Sequence, residues 1–76
     1  MQWTYRIIAA SRPRVLMRLV QLFDQQSLVI RSLELALLDN CVKISLTVEV
    51  ERELALRIQA KLYHQIDIES VDLLAG

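Results

Sequence analysis

The chain has 76 residues, 54% of them apolar, and nine basic side chains balanced by nine acidic ones, so it suffices for one small domain and has no charge excess to hold nucleic acid or an anionic membrane. One cysteine, Cys41, excludes an intramolecular disulfide framework and a multi-cysteine metal site, and it suits a reducing, cytoplasmic setting. The only glycine is Gly76, which removes every phosphate-cradling loop that depends on close backbone approach. A core of this size supplies only about 3–5 kcal/mol of net stability. The positive mean hydropathy is more apolar surface than one small core encloses, which favours burial against a second chain. Met1 to Ala10 carries Arg6 within a short alternating segment and has neither the basic start nor the long apolar run of a signal peptide. No apolar run approaches the roughly 18 residues of a membrane span.

Trp3 to Ala10 reads as a strand, with Tyr5, Ile7 and Ala9 on one side and Thr4 and Arg6 on the other. Ser11-Arg12-Pro13 breaks it, and proline suits the first position of a helix because it lacks an N–H and presets φ. From Pro13 to about Gln25 the spacing predicts an amphipathic helix whose stripe is Val15, Leu16, Leu19, Val20, Leu22 and Phe23. Ser27 and Leu28 turn the chain into a second strand, Val29 to Leu38, in which Leu33, Leu35 and Leu37 alternate with Ser32, Glu34 and Ala36. Asp39-Asn40 is a two-residue hairpin signal, since both side chains tolerate a left-handed backbone. The third strand has the cleanest alternation, Val42, Ile44, Leu46, Val48 and Val50 against Cys41, Lys43, Ser45, Thr47 and Glu49. Glu51 to about His64 returns to helical spacing through Leu54, Ala55, Ile58 and Leu62, with Glu51 and Glu53 at its start and Lys61 near its end. Ile66, Ile68, Val71 and Leu73 form the last strand, with a slip of phase near Ser70 that fits either a bulge or fraying.

The predicted order is βαββαβ, an α+β ferredoxin-like unit spanning 1–76. Right-handed crossovers place both helices on one face of a four-stranded antiparallel sheet in the order 4-1-3-2. Strands two and four are then the edges. Strand two, leucine-rich and without proline, is a poorly protected one, and pairing with a second copy would satisfy its free backbone groups.

No constellation carries catalysis. His64 lies near a helix end, where a solvated or dipole-stabilising histidine is the simpler reading than an acid or base. Cys41 opens a strand with no basic cluster nearby, which fits packing better than a low-pKa nucleophile. The acidic residues, Asp67, Glu69 and Asp72 among them, read as a solvated face. RNA recognition on this topology needs aromatics on the open side of strand three, where this chain has Lys43, Ser45 and Thr47. Metal carriage needs paired cysteines after strand one, where it has Ser11, Arg12 and Pro13. At Ser11-Arg12-Pro13-Arg14 a helix N-terminus meets two guanidinium groups, which suits a carboxylate or other anion as well as it suits plain solvation.

The run Arg12-Pro-Arg-Val-Leu-Met-Arg-Leu-Val-Gln-Leu-Phe23, then Val29-Ile-Arg-Ser-Leu33, the hairpin and the closing Ile66-Asp-Ile68 with Val71 resemble the ACT domain of acetolactate synthase small subunits. The likeness covers nearly the whole chain and is greatest to the short type II subunit, which also has proline at the start of helix one. Longer relatives carry a second domain. The resemblance implies a non-catalytic accessory subunit, without a cofactor of its own. It would pair as a homodimer through strand two (Arg31, Leu33, Leu35, Leu37) and activate or stabilise a large thiamine-diphosphate-dependent catalytic subunit in branched-chain amino-acid biosynthesis.

In feedback-sensitive members a small amino acid such as valine sits between the strand-one/helix-one loop and strand two of the neighbouring copy. That implies an effector loop of Ser11, Arg12, Pro13 and Arg14, with Val29 and Ile30. Those members have glycine where this chain has Arg14, and asparagines where it has Ser11 and Val29. Glycine permits close backbone approach while arginine fills the space, and Val29 has no amide to hold a polar ligand group. The expectation is weak or absent amino-acid feedback. Relatives also commonly end helix one on glycine where this chain has Ser27, so a turn built in another way is expected. A stand-alone ACT sensor for a small amino acid or anion, or a module that only oligomerises other proteins, are the alternatives.

Overall fold

A computed structural model describes residues 1–65 and 67–76. The elements are β1 (Gln2–Ala10), α1 (Val15–Gln25), β2 (Ile30–Leu37), β3 (Cys41–Glu49), α2 (Arg52–Tyr63) and β4 (Ile68–Ala75). The strands form one antiparallel sheet in the order β2-β3-β1-β4, the arrangement that the alternation and handedness rules predict. Ile66, expected in the last strand, lies outside the described residues.

One face of the sheet makes the core. Trp3, Tyr5, Ile7 and Ala9 of β1 and Val42, Ile44, Leu46 and Val48 of β3 are buried with Val15, Leu19, Leu22 and Phe23 of α1 and Ala55, Ile58 and Leu62 of α2. Period two in the strands and period 3.6 in the helices thus put both helices on the same side. Tyr5 stands at the centre with its ring edge-on to Phe23, centroids 5.2 Å apart, and its hydroxyl donates to the Ala55 carbonyl at 2.7 Å. Burial pushes the Tyr5 phenol up to about 12, because the phenolate would lose its hydration there. The opposite face is open, and there the Thr4 and Thr47 hydroxyls meet at 2.9 Å.

Local geometry departs from expectation at several points. Helix α1 begins at Val15 rather than Pro13, because Arg14 takes a left-handed backbone (φ 71°) that helical residues do not adopt. Leu16, expected in the buried stripe, is exposed, and Val20 is half-buried. The Asp39-Asn40 hairpin forms, with the Leu38 N–H donating to the Cys41 carbonyl at 2.9 Å. Neither turn residue has a positive φ, however, so the left-handed tolerance ascribed to them goes unused.

Ser27, by contrast, does enter the left-handed region (φ 58°). The Ser27 N–H donates to Asp24 O at 2.9 Å and the Leu28 N–H to Phe23 O at 3.3 Å, the paired bonds of a Schellman cap. The usual glycine-type ending is kept, with serine in the strained place, while Leu28 packs on the core. The phase slip near Ser70 is a bulge: Ile8 pairs with Ser70 and Ala9 with Ile68, leaving Glu69 extra.

Candidate functional site: the β2 edge and the β1–α1 loop

Backbone hydrogen bonding sets which groups the β2 edge offers. Leu38 and Cys41 are a bonded pair, and bonded and open pairs alternate along an antiparallel ladder. With Ala36 opposite Lys43 and Glu34 opposite Ser45, the N–H and C=O groups of Leu33, Leu35 and Leu37 point away from β3. Their side chains lie on the core side of the sheet, because they stand opposite Leu46, Ile44 and Val42. Yet Leu33 and Leu35 are each 42% exposed and Leu37 is 72% exposed. The helical layer stops short of β2, and Leu16 and Met17 on α1 are exposed as well. A bulge between Ile30 and Ser32 sets Arg31 out of register, and its guanidinium pairs with the Glu49 carboxylate on β3 at 2.9 Å.

Between this edge and the start of α1 lies an open, mainly apolar groove of about 500 Å³, lined by Ser11, Arg12, Arg14, Val15, Leu16, Met17, Leu35, Leu37 and Val42. Sequence-predicted loop and edge residues therefore meet at one place: Ser11, Arg12 and Arg14 from the loop, Leu35 and Leu37 from the strand. Pro13 is exposed beside them. Val29 and Ile30 do not line the groove, since they stand at the other end of β2, Val29 exposed and Ile30 half-buried against the core.

The loop is held by a residue that sequence reading placed on a solvated face. The Asp67 side chain is only 14% exposed; Oδ1 lies 3.2 Å from Arg12 Nε and Oδ2 3.7 Å from Arg18 Nη1. Its own carbonyl accepts the Ala10 N–H at 2.7 Å, and its backbone is left-handed at φ 77°. Arg12 is thus paired through Nε with a carboxylate of the chain itself, while its side chain stays 69% exposed. Nothing local in the sequence marks this pairing of a loop before α1 with the turn before β4. Arg14, at the groove, is exposed and outside these ion pairs.

No family model and no curated protein matches the chain. Solved structures do. The ACT domain from the GTP pyrophosphokinase of Chlorobium tepidum is similar over 100% of this chain and 88% of that one, with TM-score 0.86 and 16% identity. The fold is that of an ACT domain. The acetolactate synthase small subunit of Thermotoga maritima shares it at TM-score 0.84 and 13% identity, over 96% of this chain and 47% of that one. The ligand-free regulatory subunit of aspartate kinase from Thermus thermophilus does so at TM-score 0.74 and 12% identity, over 97% and 50%. The chain therefore resembles the ACT unit of an acetolactate synthase small subunit and spans about half the length of these last two proteins. No helix among the described residues is long and apolar enough to cross a membrane.

Proposed function

We propose that the chain is an ACT accessory subunit that pairs with a second copy through β2 and activates or stabilises an acetolactate synthase-like, thiamine-diphosphate-dependent catalytic subunit. The observation that carries the reading is the bare leucine edge beside the arginine-bearing loop, an apolar margin with unpaired backbone groups in an ACT frame. Similarity to small and regulatory subunits supplies the class of partner. Adding the purified chain to such a catalytic subunit is expected to raise turnover and resistance to heat; unchanged turnover and stability would refute the pairing.

Symmetry narrows the dimer further. If the helices of both copies lie on one side of a continuous eight-stranded sheet, facing residues must share a side, so their numbers must sum to an even value. A two-fold axis through Leu35 sets Leu33 against Leu37 of the partner subunit and Glu34 against Ala36 of the partner subunit. An axis through Glu34 would face two carboxylates. We therefore assign the axis to Leu35, the one centre on β2 that sets all three of Leu33, Leu35 and Leu37 against the same three leucines of the second copy. The antiparallel run then carries the partner subunit's Val29 and Ile30 toward the Leu37 end, beside the loop.

The groove favours a second reading, a stand-alone sensor for a small amino acid or anion. Arg14 narrows the groove and Asp67 already holds Arg12, so valine feedback is expected to be weak or absent. A thermal-shift screen separates the two, because a ligand that binds only the native state raises the melting temperature.

A further inference from the structure

The second sheet edge is built differently from the first. The Gly76 N–H donates to Gln2 O at 3.0 Å, and by the same alternation Val71, Leu73 and Ala75 turn their backbone groups away from β1. The Val71 carbonyl does not face open solvent: it accepts the Tyr63 hydroxyl at 2.8 Å and the Gln59 side-chain amide at 3.2 Å. Gln59 and Tyr63 stand one turn apart on α2, so a single helix face delivers both donors, and two donors fill both lone pairs of a carbonyl. Tyr63 is 54% exposed, so this hydrogen bond, rather than core packing, accounts for its position. The charged residues of β4, Glu69 and Asp72, are both acidic, which sets like charges together when two such strands approach. On β2, by contrast, no side chain among the described residues hydrogen-bonds to the backbone, and its charges, Arg31 and Glu34, are of opposite sign.

We propose that Gln59 and Tyr63 form an edge cap that closes β4 to strand addition, so that assembly through the sheet ends once β2 is paired. A dimer joined through β2 has two β4 edges, one at each end, and uncapped edges would let copies add on as an open ribbon. The limit of two copies rests on the β2 pairing proposed above, but the cap itself does not.

The test is the double variant Gln59→Ala/Tyr63→Phe, with Tyr63→Phe alone as the milder change. Circular dichroism checks that each is folded, and sedimentation velocity follows mass with concentration. Capped chains are expected to reach a constant mass, while the double variant at least doubles it at high concentration. In a Leu35→Lys background, which charges the β2 edge, only the uncapped chain should dimerise. The Val71 carbonyl carbon resonance should move in Tyr63→Phe. A folded variant that keeps the wild-type mass at every concentration, in both backgrounds, would overturn the proposal. A monomeric wild type would instead refute the β2 pairing and leave the Leu35→Lys comparison to decide the cap.

Discussion

Arg14 gives the sharpest test, because one substitution reads both backbone strain and the groove. Its φ of 71° lies in the region where a side chain costs roughly 1–2 kcal/mol. Arg14→Gly relieves that cost but raises the entropy of the unfolded chain, a loss of about 0.4–1 kcal/mol. The side chain takes part in none of the ion pairs among the described residues, so its removal forfeits little. The net expectation is a gain of about 0.5–1 kcal/mol, which for a domain of this size is a rise in melting temperature of about 2–8 °C.

Arg14→Ala is the control, since it removes the same side chain while keeping a Cβ in the left-handed backbone; it should stay within about 0.5 kcal/mol of wild type. Melts must be run at one protein concentration, because an associating chain has a concentration-dependent midpoint. If Arg14→Gly proves no more stable than Arg14→Ala, the strain argument is wrong. The glycine also opens the groove, so valine titrated against labelled protein should bind Arg14→Gly more tightly than wild type, and equal affinity would remove Arg14 as the obstacle.

The Tyr5 phenol holds its proton to about pH 12 when folded and to about pH 10 when unfolded. Its contribution is therefore complete below pH 10 and is lost as pH rises from there toward 12, by up to about 1.4 kcal/mol per pH unit. Urea titrations across that window should show this slope in wild type and its loss in Tyr5→Phe, which should cost about 1 kcal/mol at neutral pH for the bond to Ala55. Asp67→Asn keeps a residue that tolerates a left-handed backbone while removing the charge beside Arg12 and Arg18. Since both arginines are well exposed, the loss should be at most about 1 kcal/mol and should shrink in high salt; a salt-independent loss would assign it to the backbone. With Cys41→Ser as background, Leu35→Cys should be the position on β2 that a short thiol crosslinker joins most efficiently to its own copy, and preferential crosslinking at Leu33→Cys would shift the axis.

The strands and helices, their order and, apart from Leu16, their buried faces were legible because each rests on a period that survives tertiary context: two through Val42 to Val50, 3.6 through Val15 to Phe23 and Ala55 to Leu62. The slip near Ser70 was legible for the same reason, but only the pairing of Ile8 with Ser70 and Ala9 with Ile68 decides for a bulge over fraying. The sign of φ was not. Asp39 and Asn40 tolerate the left-handed region and do not use it, whereas Arg14 and Ser27 tolerate it poorly and do. At those two points the chain must join a strand and a helix whose positions the core has fixed, and the residue in between takes the turn required. Asp67 and the Gln59/Tyr63 pair were invisible for a different reason: their partners, Arg12 and the Val71 carbonyl, become neighbours only after the sheet has formed.

The position of β1 in the sheet also sets a schedule for folding. It is the first strand in the chain, yet both of its neighbours, β3 and β4, come later, with Trp3 opposite Val48 on one side and Ala75 on the other. At synthesis rates of about 5–20 residues per second, several seconds separate the appearance of Tyr5 and Ile7 from that of the strands that shield them. The early segment must wait with its aromatic and aliphatic side chains uncovered, apart from what α1 can shelter. Such long-range closure, offset by the local contacts of two helices, places the domain between helical bundles and all-β barrels in folding speed.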